Sequence, residues 1–248
     1  MPDPGRTADP RAHCALERLR TAKVNFDPST LSAGAGWQYD ERLQELPDEA
    51  PGRPAANGSW AVARRLMRGY EFADPSIVRA FYDREAPLEG RDMLLQVRFH
   101  VLRFRVGCRV ASVYEHDEEV DGRDATIWGW SYRTLEGHFE QGEMHWQVLK
   151  WPSGEVAFRI RAWSRRANDP NPLIRLGFRL FGRREQLRFY HSTCERMERL
   201  TREALRAEGD EAAFLEVARR STARPAPEAE PDQQELAKNA DPSRKDAR

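Results

Sequence analysis

Residues 171–206 read NPLIRLGFRLFGRREQLRFYHSTCERMERLTREALR, and this stretch decides the fold. Asn171 suits a helix N-cap, because its side-chain oxygen accepts hydrogen bonds from free backbone N–H groups, and Pro172 fits the first turn. Apolar or small residues then recur with a spacing of threes and fours, which places them on one side of a helix. They are Leu180, Leu187, Tyr190, Cys194, Met197, Thr201 and Leu205. The pattern predicts one long amphipathic helix that needs an apolar surface to pack on.

The opposite side of this helix is rich in arginine. Its charged residues are Arg184, Arg188, Glu195, Arg199 and Arg202. Glu195 with Arg199, and Glu198 with Arg202, have the i,i+4 spacing at which an ion pair adds about 0.2–0.5 kcal/mol. Such a charged helix face is typical of a solvent-exposed surface, and docking of a protein partner is the alternative. Gly182 weakens a helix interior, so a bend or a junction of two helices is expected near it.

Alternating apolar residues before the helix predict antiparallel strands. Residues 102–110 should turn Leu102, Phe104, Val106, Cys108 and Val110 inward. The next strands should share an inward face made of Trp128, Trp130, Tyr132, Met144, Trp146, Val148, Val156, Phe158 and Ile160. Residues 152–155 fit a hairpin turn. The order of elements predicts an α+β domain in which a curved antiparallel sheet wraps around the long C-terminal helix.

Four further segments carry weaker local signals. Residues 12–23 fit a short helix, and residues 25–58 read as an extended, turn-rich segment that drapes over the domain. The second half of residues 59–72, SWAVARRLMRGYEF, is interpreted as a strand, although a helix fits the same letters. Asp74 as N-cap and Pro75 at the first position predict a short helix over residues 74–83. His116 to Arg123 is interpreted as a charged turn.

Composition divides the chain into three parts. Residues 1–56 are rich in Pro, Gly, Ala and acidic residues, and residues 208–248 are rich in Pro, Ala, Glu, Gln and Lys. Such composition is typical of loosely ordered segments. We therefore expect an extended, partly disordered N-terminal segment over 1–56, an α+β domain over 57–207, and a disordered tail over 208–248.

Charge, cysteine content and hydropathy argue against several classes of protein. Lys plus Arg equals Asp plus Glu at 40 each, so no nucleic-acid partner is expected. The three cysteines are far apart, which disfavours a disulfide framework or a cysteine zinc site. No apolar run approaches 18 residues and no signal peptide follows Met1, so we expect a cytoplasmic protein without an integral membrane segment. Phosphate-binding glycine motifs are absent from the sequence, and no cofactor is predicted.

Four long motifs resemble the DUF1990 family, bacterial and plant proteins of unknown function. They are ARRLMRGYEFADPSIVRAFYD (63–83), PLEGRDMLL (87–95), WGWSYRTLEGHFEQGEM (128–144) and NPLIRLGFRLFGRREQLRF (171–189). The resemblance spans about 59–200. It implies no activity, because none is established for the family. The order of elements is also similar to helix-grip, or START-like (SRPBCC), proteins, in which an antiparallel sheet grips a C-terminal helix over an apolar cavity.

One cluster of titratable residues could carry chemistry. On a straight strand, Glu136, His138 and Glu140 would share one face, where they could bind a metal or move protons. Gly137 and Gly142 indicate bulges that would break this array, and structural ion pairs gather the same residue types. We predict no metal site. The enzyme hypothesis assigns acid and base roles to His138 with Glu136 or Glu143, acting on an apolar substrate.

The aromatic strand face is the candidate ligand site. Its rings could line an apolar cavity against the helix stripe, or they could simply pack as a core. The candidate ligand-binding residues are Trp128, Trp130, Tyr132, Arg133, Trp146, Phe158, Leu187 and Tyr190. Arg91, Asp92 and Arg133 could form buried ion pairs or anchor an acidic ligand group. The preferred hypothesis is a binding domain for a small apolar molecule or lipid, and enzyme activity and oligomeric state are left open.

Overall fold

The computed structural model describes residues 10–32, 36–99, 102–167 and 182–207. Within them, one seven-stranded antiparallel sheet has the order β1-β7-β6-β5-β4-β3-β2. The strands are β1 (Gln38–Leu46), β2 (Val78–Phe81), β3 (Asp92–Phe99), β4 (Leu102–Val120), β5 (Arg123–Thr134), β6 (Glu140–Lys150) and β7 (Val156–Arg166). The helices are α1 (Pro10–Leu19), α2 (Ser59–Arg68) and α3 (Arg183–Arg206), with a 3-10 turn at Pro28–Thr30.

The sheet has an inner face that α2 and α3 cover. Trp130 pairs with Trp146 across β5 and β6, and Trp146 pairs with Ile160 across β6 and β7, so these side chains lie on the same face. They join residues of both helices in one hydrophobic core. The predicted α+β fold, with an antiparallel sheet packed against a long C-terminal helix, is confirmed.

The amphipathic pattern of α3 matches its burial. Tyr190, Met197 and Thr201 are fully buried on the side that faces the sheet and α2, while Arg184 and Arg188 are exposed. Of the predicted i,i+4 pairs, Glu198 accepts from Arg202 at 2.8 Å, whereas Glu195 and Arg199 pair with other neighbours of the helix. The described helix begins directly after Gly182, and the predicted cap at Asn171 lies outside the described residues.

The outer face of the sheet is partly covered by α1, whose position confirms the short helix predicted near residue 12. Gly107 in β4 permits this packing, because a Cβ there would lie 2.4 Å from the Leu19 side chain. Arg109 then fastens the end of α1: it donates to the Leu19 carbonyl at 2.6 Å and to the Asp92 carboxylate at 2.7 Å. The helix is thus held by packing and by a charge-assisted hydrogen bond.

Two elements differ from the sequence prediction. The segment after Ser59 is helical rather than half strand, and it buries Trp60, Ala63 and Met67 on one side. The helix predicted from Asp74 does not form. Asp74 instead caps a turn, its carboxylate accepting from the Ser76 N–H at 2.8 Å, and β2 follows and pairs with β3.

The sheet also extends beyond its predicted limits at two places. β1 pairs with β7 along nine residues, so part of the segment predicted to drape over the domain is an edge strand. β4 continues through the predicted charged turn to Val120, and the actual turn lies at Asp121 and Gly122. The division of the chain at residues 57 and 208 stays a prediction.

Candidate functional site

Four aromatic rings form a cluster on the inner face, made of Tyr70, Trp130, Tyr132 and Trp146. The centroids of Tyr70 and of Tyr132 lie 6.0–6.2 Å from those of both tryptophans, and the two tryptophan centroids are 6.4 Å apart, which is the contact distance of tilted or edge-to-face rings. Tyr70 follows α2 with a φ of +55°, a left-handed conformation that costs about 1–2 kcal/mol outside glycine. This turn carries the Tyr70 ring back into the cluster. We call these four residues the aromatic cluster.

Other rings and α3 enclose the aromatic cluster. Phe158 stacks on Trp146 with an interplanar angle of 7° and a centroid distance of 6.1 Å. Phe189 of α3 meets the edge of Trp146 at 6.2 Å, and Tyr190 beside it is fully buried. The predicted residues Trp130, Tyr132, Trp146, Phe158 and Tyr190 therefore share one core, with Leu187 packed against it.

Three aromatic donors that the strands and α3 contribute to this core have no hydrogen-bond partner among the described residues. They are the Nε1 atoms of Trp130 and Trp146 and the hydroxyl of Tyr190, and each atom is buried from solvent. Burial also raises the pKa of the Tyr190 hydroxyl, so this group stays protonated and remains a donor. A buried polar group without a partner costs about 1–3 kcal/mol. These atoms are therefore poorly satisfied positions of the inner core.

Four apolar side chains near the starts of β6 and α3 lie at the edge of the aromatic core. Phe139, Met144, Leu187 and Phe189 pack against the core there and remain partly exposed. We call these four residues the apolar rim. These partly buried side chains leave some apolar surface at the edge of the core.

A polar cleft of about 220 Å³ lies at the same end of the domain. Glu140 lines it, and burial raises the pKa of this carboxyl to about 7 despite the nearby positive charge of Arg183. Arg183 itself is held by Asp40, to which it donates at 2.5 and 2.6 Å. The cleft residues are Gly36, Gln38, Glu140, Ser164, Arg165, Arg166, Gly182, Arg183 and Gln186.

The predicted acid and base residues do not form an array. Gly137 has a φ of +83° and places residues 136–138 in a turn instead of a straight strand. Glu136 accepts from the Lys23 N–H at 3.1 Å. His138 is buried and accepts the Glu140 N–H at its Nδ1 atom at 3.0 Å, and this burial lowers its pKa to about 3. The prediction that Glu136, His138 and Glu140 line up on one strand face is therefore wrong.

Glu143 belongs to a different group on the outer face. Its carboxylate accepts from Arg133 at 2.8 Å and from Ser131 at 3.0 Å, and His145 lies 3.3 Å away. Burial raises the pKa of Glu143, but the hydrogen bonds of His145 and Arg133 outweigh it and lower the value to about 2. Arg133 thus forms an ion pair away from the aromatic cluster, contrary to its predicted place in the ligand site.

The outer group continues through His145 to residues of β4, β6 and β7. The sequence pattern does not predict this network. The Tyr114 hydroxyl lies 3.0 Å from His145 Nδ1 and accepts from Gln147 at 3.0 Å, and Gln147 accepts from Arg159 at 2.7 Å. Gly129 makes room for this contact, since a Cβ there would lie 2.9 Å from the Tyr114 ring. Each described polar side chain in this network has a hydrogen-bond partner, which is typical of a structural role.

The family follows from comparison of the whole sequence. A family model described as "Domain of unknown function (DUF1990)" matches residues 23–195. The chain belongs to this family. The resemblance inferred from the motifs is thereby confirmed, and the DUF1990 match includes β1, which lies outside the predicted domain limits. A search of curated proteins found no match.

Solved structures similar to this DUF1990 chain share little sequence with it. TTHA0849 from Thermus thermophilus is 13% identical, with a TM-score of 0.41 over 70% of this chain and 99% of that chain. Ginseng major latex-like protein 151 from Panax ginseng is 10% identical, with a TM-score of 0.39 over 66% and 97%. Ara h 8.0201 is 7% identical, with a TM-score of 0.38 over 67% and 98%.

Trp128 shares the inner face but lies at the α2 end, where the guanidinium groups of Arg64 and Arg68 stand 5.0 and 5.3 Å from its ring. Among the described residues, no helix combines the length and apolar character needed to cross a membrane.

Proposed function

We propose that the inner face of the DUF1990 domain binds a small, mainly apolar molecule or a lipid chain between the aromatic cluster and α3. The observation that carries this proposal is the set of buried donors on Trp130, Trp146 and Tyr190 that find no partner in the part of the chain that the structure describes. Three such groups cost about 3–9 kcal/mol together, compared with a typical total stability of about 5–15 kcal/mol. A bound molecule or ordered water that accepts their hydrogen bonds removes this cost.

The apolar rim supports the same proposal. Met144 lies on the sheet, in β6, and Leu187 lies on α3. Both side chains are partly exposed although they pack on the core. Covering them would recover about 25 cal/mol for each Å² of apolar surface removed from water. An apolar ligand that entered here would cover the rim and reach the aromatic cluster.

The enzyme alternative has less support from the contacts. His138, Glu136 and Glu143 each bind a different neighbour, and the Glu143 carboxylate lies on the outer face. The interaction-module alternative stays a prediction. Its test is whether a partner captured by the chain is lost when Arg184 and Arg188 are replaced by glutamine.

A titration with the neutral fluorescent probe N-phenyl-1-naphthylamine tests the proposed site. Leu187→Arg places a charge on the apolar rim, and we expect it to weaken probe binding at least tenfold. Leu43→Arg is the matched control, because Leu43 is 50% exposed on the edge strand β1, away from the rim. Circular dichroism of both variants should show the unchanged fold.

Native mass spectrometry of the purified chain is the second readout. A co-purified apolar molecule that Leu187→Arg abolishes would support the site. Absence of both probe binding and a co-purified molecule would contradict the proposal, as would equal loss of binding in Leu187→Arg and Leu43→Arg.

A further inference from the structure

We infer that the ligand of the inner face is recognised through a neutral acceptor oxygen, such as the carbonyl of a ketone or an ester. This inference rests on the proposed function and specifies the chemical class of the ligand. Its basis is the chemical type of the aromatic groups on the sheet and α3 that have no partner among the described residues. The hydroxyls of Tyr70 and Thr193 are also buried there without a described partner, and a hydroxyl can donate to the same oxygen.

The three partnerless groups can all give a hydrogen bond. An indole N–H is a donor only, so Trp130 and Trp146 cannot use a donor on the ligand. The Tyr190 hydroxyl is buried, protonated and equally able to donate. A ligand oxygen with two lone pairs satisfies two of these groups at once, whereas an alkyl chain satisfies none.

The donors approach from both walls of the site. Trp130 and Trp146 are direct partners across β5 and β6, and Tyr190 lies on α3, which covers this face. Tyr132 in the same cluster already donates to the Met144 sulfur at 3.4 Å. The unused donors therefore come from the two sides between which an apolar chain would lie.

The cleft beside the rim holds three arginines, Arg165, Arg166 and Arg183, and one carboxyl group, so the preference for a neutral ligand rests on the buried donors and not on the charge of the cleft. Glu140 lines the cleft beside the rim, and Asp40 holds Arg183 in a two-point ion pair. Asp40 already binds Arg183, and Arg165 already donates to Gln141 at 2.6 Å, so neither arginine offers its whole guanidinium group to an acid. Arg166, which is exposed and pairs with Glu140 in the strand register, is the described cation through which an acid could still bind.

Displacement of N-phenyl-1-naphthylamine by three competitors of equal chain length tests the inference. The competitors are 2-dodecanone, which offers one carbonyl, dodecane, which offers no polar atom, and dodecanoate, which offers an anion. We expect 2-dodecanone to displace the probe at a concentration at least tenfold lower than either of the others. The ketone is less hydrophobic than the alkane, so apolar burial alone predicts the reverse order.

Tyr190→Phe removes one donor and keeps its ring. We expect this variant to bind 2-dodecanone about threefold to tenfold more weakly, which is the range for one neutral hydrogen bond. Its affinity for dodecane should be unchanged. Tyr39→Phe is the matched control, since the Tyr39 hydroxyl donates to Glu41 at the exposed edge. Trp130→Phe repeats the test on the sheet and should act like Tyr190→Phe.

The outcomes separate this inference from the proposed function. Equal displacement by ketone and alkane, or an effect of Tyr190→Phe no larger than that of Tyr39→Phe, would overturn the carbonyl class while leaving an apolar site. Tighter binding of dodecanoate would overturn it in favour of an acid. No probe binding at all would overturn the proposed function itself and leave water as the partner of the buried donors.

Discussion

His138 and Glu140 should respond to acid in opposite directions. Burial lowers the pKa of His138 from 6.5 to about 3, and burial raises the pKa of Glu140 from 4.5 to about 7. Both groups are therefore neutral in the fold at pH 6. On acidification, His138 takes up protons mainly in the unfolded chain, which lowers stability, whereas Glu140 takes up its proton mainly in the folded chain, which raises stability.

The two effects have nearly the same size between pH 7 and pH 5. With the shifts above, linkage gives a loss of about 2 kcal/mol through His138 and a gain of about 2 kcal/mol through Glu140. They nearly cancel in the wild-type chain. Replacing either residue should reveal the effect of the other.

Urea unfolding at pH 5, 6 and 7 measures the effect. His138→Asn keeps an acceptor for the Glu140 N–H but does not titrate, so its stability should rise by about 2 kcal/mol relative to wild type as pH falls from 7 to 5. The free energy of unfolding of Glu140→Gln should fall by about 2 kcal/mol relative to wild type over the same pH range. That of the double variant should change with pH as wild type does. His191→Asn is the control, because the His191 side chain is 75% exposed.

The reasoning would be refuted by single variants whose unfolding free energies run parallel to wild type from pH 7 to pH 5. A shift of the same sign in both variants would also refute it, since the two groups must act in opposite directions. Cavities left by the substitutions change the absolute free energy but not its slope with pH.

Two further substitutions test the structural reasoning through the free energy of unfolding. Glu143→Gln weakens the buried ion pair with Arg133, and we expect a loss of about 2–3 kcal/mol, while the exposed Glu195→Gln should stay within about 0.5 kcal/mol of wild type. Gly129→Ala would place a Cβ 2.8 Å from the Trp146 carbonyl oxygen, and a loss of about 1–3 kcal/mol is expected; an unchanged melting temperature would contradict this close approach.

Strands with strong alternation could be predicted from the sequence. Trp128, Trp130 and Tyr132 alternate with small or polar residues, and their shared face follows directly from the two-residue period of a strand. The buried side of α3 could be predicted equally well, because a 24-residue helix repeats its apolar spacing several times. In both cases local spacing determines which side is buried.

Elements that depend on distant partners could not be predicted in this way. β1 carries mostly polar residues and is a strand because it pairs with β7, more than 100 residues away. Asp74 and Pro75 suit a helix start and a capped turn equally well, and the pairing of β2 with β3 decides between them. Residues 116–120 are highly charged, yet they continue β4 because β5 runs beside them.

The candidate site shows the same division. The aromatic cluster follows from spacing on β5 and β6, whereas Tyr70 joins it only through a left-handed turn after α2. Arg133 and Glu143 are direct sequence neighbours of Tyr132 and Met144, which by itself suggests a place near the cluster. Alternation along the strand places both on the opposite face, where they pair with each other.

The most direct measurement of the central claim is the indole N–H spectrum of chain labelled with ¹⁵N-tryptophan, recorded with and without 2-dodecanone. The signals of Trp130 and Trp146, assigned through their Trp→Phe variants, should move downfield as their N–H groups bind the carbonyl. The N–H of Trp151 is also buried without a partner among the residues described, but it packs in a separate core, so its signal should not move. Unchanged Trp130 and Trp146 signals under saturating ketone would contradict a ligand site on the inner face.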